Sequence, residues 1–420
     1  MTKQSPSSFP KHFLWGAATS AHQVEGNNHN QWSVWELENA KTRAAQAEYH
    51  IHDYPAWDRI KKQAKNPHNY VSGEATNHYS RYKQDFDLLE GMHMNAYRFS
   101  IEWSRIEPQE GVWNPEAIAH YKEYLVELRR RDIEPVVTLM HFSLPVWFAE
   151  KGGWERRSNI ALFTRYVEKI MTELGNSVRY IVTINEPEVY AYCGYKIQEW
   201  PPARHSNYQA IKVMYHQALA HRRAAKVLKS LNPRYKVGIA KNSVFMYPGD
   251  NAWLSRFSAH VLQYFQDDIW LAMVVKSSDF MGLNYYMSQR VYVYRIHNSE
   301  NAPYSDLNWM IAPGDIEYVL ERWHRKYKLP ILITENGVAD ADDTYRQAWI
   351  KATILAMQQA MAHGVTLLGY IHWSLTDNFE WSYGKWPRFG LAAVDYSTGT
   401  RTLRPSAVWF GRVIKKLRGV

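Results

Sequence analysis

The stretch Tyr180-Ile181-Val182-Thr183-Ile184-Asn185-Glu186-Pro187 decides the fold. Its first five residues are apolar or β-branched without interruption, as in a strand buried on both faces. The run then breaks at an amide, a carboxylate and a proline. Ile331-Leu332-Ile333-Thr334 repeats the pattern and breaks at Glu335-Asn336-Gly337. Working outward from this pair, eight buried strands are predicted: Phe13–Ala18, Ala96–Ile101, Pro135–Met140, Tyr180–Ile184, Lys236–Ala240, Phe280–Asn284, Ile331–Thr334 and Leu367–Trp373.

Most of these runs precede a helical pattern. Ile118, Tyr121, Leu125 and Leu128 recur at helical spacing behind the helix-start signal Asn114-Pro115. Ile160, Phe163, Val167, Ile170 and Met171 form a second such face, and Trp349, Ile350, Thr353, Ile354 and Met357 a third. Eight strands alternating with helices point to an α/β fold, a single (β/α)8 TIM barrel over residues 1–420. No Gly/Ser-rich linker or repeat divides the chain. The stretch Gly26 to Thr76 reads as an elaborated loop on the catalytic face, with a short helix near Tyr54–Ala64.

Composition narrows the function. The 420 residues are 46% apolar, enough for a large core. No apolar run is long enough for a membrane span, and Met1 to Pro10 lacks the apolar region of a secretory leader. Cys193 is the only cysteine, so no intrachain disulfide can form. A soluble cytoplasmic protein is expected. The formal charge of +9 invites a nucleic-acid partner, but the basic residues are dispersed. Arg129-Arg130-Arg131 and Lys415-Lys416 suit solvated last turns of helices, so neither nucleic acid nor membrane is expected as a partner. The 18 tryptophans and 29 tyrosines suit a cleft that stacks on sugar rings as well as a core.

In such a barrel the chemistry sits at the C-terminal ends of the strands. Glu186 and Glu335 occupy matching ends of two of them. Paired carboxylates are what glycosidic cleavage needs: one protonates the departing oxygen and the other attacks or stabilises the anomeric carbon. A retaining pair stands roughly 5–5.5 Å apart. Taken singly, each glutamate reads equally as a helix N-terminal charge. The other ends supply Gln23, Arg98, His141, Asn284-Tyr285-Tyr286 and the segment from Trp373 to Trp381, a set suited to gripping hydroxyls.

With these motifs in order along nearly the whole chain, the sequence resembles the glycoside hydrolase family 1 β-glycosidases. The segments Thr183–Pro187 and Ile333–Gly337 look like that family's two catalytic signatures. Leu144–Gly153 and Glu335–Tyr345 look closer to its archaeal-type members than to the plant enzymes. The resemblance implies Glu186 as general acid/base and Glu335 as nucleophile, with Arg98 beside the latter to keep it ionised. It implies Tyr286 as a hydrogen-bond donor to the nucleophile and Gln23, His141, Asn185, Glu380 and Trp381 as sugar-binding residues. Asn185 would reach the 2-hydroxyl, and Trp373 would form the stacking floor. Trp373 and His141 also read as packed core residues.

Three departures from the family pattern bear on the leaving-group side: Phe142 where Trp is frequent, Gln198 where Gly is usual, and a short stretch from Asn242 to Phe280. An intact Glu380 would repel a phosphate, which disfavours phosphorylated sugars, although Lys385 lies close in sequence. The string His50, His52, Asp53 lacks the convergent partners of a zinc site, and no phosphate loop or dinucleotide fingerprint is present. No metal or cofactor is expected. The expected activity is exo-acting hydrolysis of small β-glycosides, β-glucosides first and β-galactosides or β-fucosides with them. A transglycosidase using the same residues and a catalytically weak sugar-binding protein are the alternatives.

Overall fold

All eight apolar runs are strands of one closed parallel barrel. The computed structural model describes residues 9–293, 295–298 and 301–420. Residues 1–8, which carry most of the expectation about a missing leader, lie outside the described residues. The strands are β1 (Leu14–Ala18), β2 (Ala96–Ser100), β3 (Glu134–Thr138), β4 (Tyr180–Asn185), β5 (Lys236–Asn242), β6 (Phe280–Tyr285), β7 (Ile331–Asn336) and β8 (Leu367–Trp373). Each pairs with its sequence neighbours, and β1 closes the ring by pairing with β8, where Ala18 faces Trp373.

The register is irregular in three of the strand pairs, and the β7–β8 pairing shifts both at its start, between Leu367 and Gly369, and between Tyr370 and His372. The β4–β5 pairing shifts between Val182 and Asn185, and the β6–β7 pairing shifts between Leu283 and Asn284. Such irregularities bend a strand and re-aim its side chains. The β4–β5 and β6–β7 shifts fall beside Glu186 and Glu335. Gly337, just beyond β7, is required by close approach: a Cβ there would lie 1.9 Å from the Trp373 carbonyl oxygen.

The helices follow from their apolar faces. In Pro115–Arg130, Ile118, Tyr121, Leu125 and Leu128 are buried, and Asn114 Oδ1 caps the N-terminus by accepting from the Glu116 and Ala117 N–H groups at 3.0 and 3.1 Å. Ile160–Leu174 and Arg346–Ala362 bury the residues expected of them. Arg131 differs from expectation. It is not a solvated end-of-helix charge: its side chain is 6% exposed and is paired with Asp87, Glu90 and Glu127.

The reading of Gly26 to Thr76 as irregular loop is corrected. Gln31–Ile51 is a helix of 21 residues, followed by a second at Trp57–Ala64 and a 3-10 turn at Pro67–Tyr70. The long helix buries Trp32, Glu36, Ala40, Ala44, Ala47 and Ile51. Between Trp32 and Ile51 at its ends the stripe is alanines and a glutamate, so its middle carries little hydrophobic signal, and exposed Leu37 and Tyr49 blur it further. The Ala40/Ala44 stripe packs on Tyr70. Among the described residues no helix is long and apolar enough to cross a membrane.

Candidate active site

Glu335 is the penultimate residue of β7 and is buried. Its Oε1 is paired with the Arg98 guanidinium from β2, and its Oε2 accepts from the Tyr286 hydroxyl at 2.6 Å. Arg98 is itself buried and spends its donors inside the barrel: Nε to Thr138 Oγ1 at 3.1 Å, Nη1 to the Thr334 carbonyl at 3.1 Å and Nη2 to Asn185 Oδ1 at 2.6 Å. A buried carboxylate with a cation and a phenol on separate oxygens is held in one orientation by charge-assisted hydrogen bonds.

Glu186 follows β4 in a different environment. Among the described residues no cation is paired with it. Its Oε1 accepts from Asn284 Nδ2 at 2.6 Å and from Asn242 Nδ2 at 3.4 Å. Thr334 Oγ1 donates to Asn284 Oδ1 at 2.6 Å and so fixes which way that amide points. Burial pushes the Glu186 carboxyl well above the usual carboxylate range, and the negative charges of Glu335 and Glu188 push it further. Glu186 also sits in left-handed backbone, φ 42° and ψ 62°, as the chain turns from strand to helix at Pro187. Phe142 (φ 67°) and Trp381 (φ 49°) share that conformation at the mouth. Non-glycine residues there cost about 1–3 kcal/mol each and cluster where function requires them.

The remaining expected residues join this centre. Asn185 Oδ1 takes the Arg98 bond, so its Nδ2 faces His141 Nε2 at 3.2 Å. His141 then carries its proton on Nδ1, a buried atom without a hydrogen-bond partner. Burial and the nearby Arg98 charge hold His141 well below the usual histidine range. The His141 ring lies parallel to Trp373 at 5.8 Å and to Trp381 at 6.1 Å. Trp381 also stacks on His22 at 5.6 Å. Gln23 Nε2 donates to the Phe379 carbonyl at 2.8 Å and to Glu380 Oε2 at 3.3 Å. Burial raises the Glu380 carboxyl to about 7 against the opposing amide of Asn378, which donates at 2.9 Å.

Sequence reasoning missed several participants. Asn242 touches Glu186 but lies two positions beyond the run taken for β5, which continues through Lys241 to Asn242. Asn378, inside the quoted β8 segment, was not singled out. His22 and Glu36, joined Nε2 to Oε1 at 2.6 Å, support Trp381 from behind. Gln198, where the family pattern favours glycine, has φ 62°, so the backbone keeps the glycine-type conformation without the glycine. Phe142 packs edge-on against Trp381 at 5.1 Å and Trp200 at 4.8 Å. Lys385 Nζ lies 5.7 Å over the Tyr396 ring. His50, His52 and Asp53 are exposed. Among the described residues one different group, Glu317, Glu321 and His363, has ligand-type atoms within 4.8 Å of one another.

A closed parallel barrel with two buried, differently held carboxylates at matching strand ends is the architecture of a barrel glycosidase. The family model for glycosyl hydrolase family 1 matches residues 5–278 and 267–418. Beta-glucosidase A of Thermotoga maritima is 30% identical over 97% of this chain and 98% of its own length. Among solved structures, the beta-glycosidase from Pyrococcus horikoshii has a TM-score of 0.86 at 33% identity, covering 98% of this chain and 96% of that one. The beta-glucosidase from Thermotoga maritima in complex with castanospermine has a TM-score of 0.86 at 28% identity, over 98% and 99%. The chain belongs to glycosyl hydrolase family 1. Within it, this protein is an enzyme of the β-glycosidase type.

Proposed function

We propose that the protein is a retaining, exo-acting hydrolase of terminal β-D-glucosides, with β-galactosides and β-fucosides as further substrates, acting through one (β/α)8 domain. The observation that carries this reading is the opposite treatment of the two carboxyls: Glu335 has a cation and a phenol, whereas Glu186 has only amides and two negative neighbours. Glu335 would attack the anomeric carbon. The bond to the aglycone oxygen breaks as Glu186 gives that oxygen its proton. The resulting ester removes the Glu335 charge, and with it one of the causes that raise Glu186. Glu186 then accepts a proton from water, which attacks the anomeric carbon and releases Glu335.

Gln23, His141, Asn185, Glu380 and Trp381 would hold the non-reducing sugar over Trp373. The unpartnered His141 Nδ1 supports this, since a sugar hydroxyl would satisfy it. The names of the similar β-glucosidases favour glucosides as the leading class. A cytoplasmic location is part of the reading, supported by the single Cys193.

Chemical rescue tests the assignment. Glu335→Ala with azide and an activated β-glucoside is expected to make the α-glucosyl azide, and Glu186→Ala the β-glucosyl azide. Exchange of the two products would reverse the roles, and an inverted sugar released by the parent enzyme would end the retaining reading.

A further inference from the structure

Lys241 lies one residue before the end of β5 with its side chain fully buried. A buried ammonium persists only with partners. Its Nζ is 3.1 Å from Glu188 Oε1 and 3.8 Å from Asp267 Oδ1, and it donates to the Asn242 carbonyl. Glu188 stands two residues after Glu186, in the first turn of the helix Pro187–Ala191. Its Oε1 accepts the Asn242 N–H at 2.8 Å. Asn242 is thus gripped at both ends of its backbone, and its side chain donates to Glu186.

Asp267 does not compete for this role. Its Oδ2 accepts from Ser243, Gln263, Arg322 and Trp323 at 2.9–3.1 Å, with Arg322 supplying a cation of its own. Among the described residues Glu188 has no other cation: Oε1 meets Lys241 and Asn242, and Oε2 is buried without a partner. Four other titratable or charged groups face this corner. Glu335 comes from β7 and Tyr286 from the segment after β6, both interacting electrostatically with Glu186. Cys193 lies further along the chain after β4, and Tyr327 faces Asp267.

We propose that Lys241 and Glu188 are positioning residues for the acid/base step, an ion pair that clamps Asn242 against Glu186 and keeps one compensated negative charge behind that carboxyl. The proposal rests on Glu186 being the acid/base. Neither residue touches substrate. Both act through Asn242 and through the field at Glu186. Glu188 repels a second negative charge on Glu186, so it helps Glu186 keep the proton it must donate. Burial raises the Glu188 carboxyl, the Lys241 ammonium opposes that rise, and Lys241 also holds the Asn242 carbonyl.

Two variants test this with a readout that packing alone would not move. In Glu188→Gln the alkaline limb of kcat/KM for an alkyl β-glucoside should move to lower pH, by a few tenths to about one unit. In Lys241→Met, kcat/KM for the alkyl glucoside should fall about tenfold or more, while that for 2,4-dinitrophenyl β-glucoside, whose leaving group needs no proton, changes about twofold or less. An unmoved or upward-shifted limb in Glu188→Gln overturns the proposal, as does an equal loss on both substrates in Lys241→Met. Glu188→Gln keeps the side-chain shape and carries the test alone if Lys241→Met fails to accumulate. Glu186→Ala is run beside them: if it spares the alkyl glucoside, the acid/base reading has failed instead.

Discussion

Arg98 Nη2 donates to Asn185 Oδ1 at 2.6 Å while Nη1 holds Glu335, so one guanidinium from β2 sets both the nucleophile candidate of β7 and the amide that ends β4. The setting of the proposed nucleophile and that of the proposed sugar-binding amide are therefore not separable at this position.

Arg98→Lys should expose that coupling. A lysine is a point charge without the planar fork, and it cannot serve both partners. We expect kcat/KM for a β-glucoside to fall at least about 100-fold, in line with losing charge-assisted hydrogen bonds of about 1.5–3 kcal/mol each. Asn185 would also lose its orientation, so the preference for glucoside over 2-deoxyglucoside should narrow. Steady-state kinetics on the two substrates measure it.

The raised Glu186 carboxyl makes a stability prediction of definite sign. In the unfolded chain this group ionises near the ordinary glutamate value of 4.5, whereas in the fold it stays protonated to well above that. Between those two values the folded chain binds more protons, so its stability declines as pH rises across the window and levels off beyond the folded value. Glu186→Gln keeps the acceptor for Asn284 and removes the titration. Its melting temperature should exceed that of the parent at neutral pH, and the gap should close near pH 4. Thermal scans across that range would reveal an absent or inverted gap.

Glu380, raised to about 7, predicts a pH-dependent grip on the sugar. The ionised carboxyl accepts from hydroxyls more strongly than the neutral one. Ki for an S-linked, non-hydrolysed β-glucoside should therefore decrease as pH rises through about 7. Glu380→Gln should abolish the dependence. A flat profile in the parent enzyme would remove Glu380 from the sugar-binding set.

Glu36 links the fold to the site. It holds His22 through Oε1 at 2.6 Å and the Ser72 N–H and hydroxyl through Oε2 at 2.8 Å, and His22 backs Trp381. Glu36→Ala leaves these donors buried without partners, at about 1–3 kcal/mol for each orphaned group. We expect a lower melting temperature together with a raised KM. A lower melting temperature with KM unchanged would show that Trp381 is held without this support.

The barrel was legible because a parallel strand buried on both faces is a continuous apolar run, and each run here ends at a polar residue that marks the mouth. That rule puts Glu186 and Glu335 at the mouth, whereas their expected roles came from the family resemblance. What escaped did so for physical reasons. Between Trp32 and Ile51 the helix Gln31–Ile51 buries alanines and a glutamate, so its inner face there lacks the contrast by which periodicity is recognised. Lys241 is a fully buried lysine within a strand, the residue type least expected there, and reading it as the strand's end hid Asn242 behind it. The His22–Glu36 contact joins two segments that carry no sign of each other in sequence.

The left-handed backbone at Glu186 has a consequence for anyone breeding sturdier versions of this enzyme. Glycine adopts that conformation freely and brings no carboxyl to bury, so Glu186→Gly would relieve two burdens at once. A heat-survival screen run without a turnover assay would be drawn to that substitution early, and its hardiest survivors would have surrendered their chemistry.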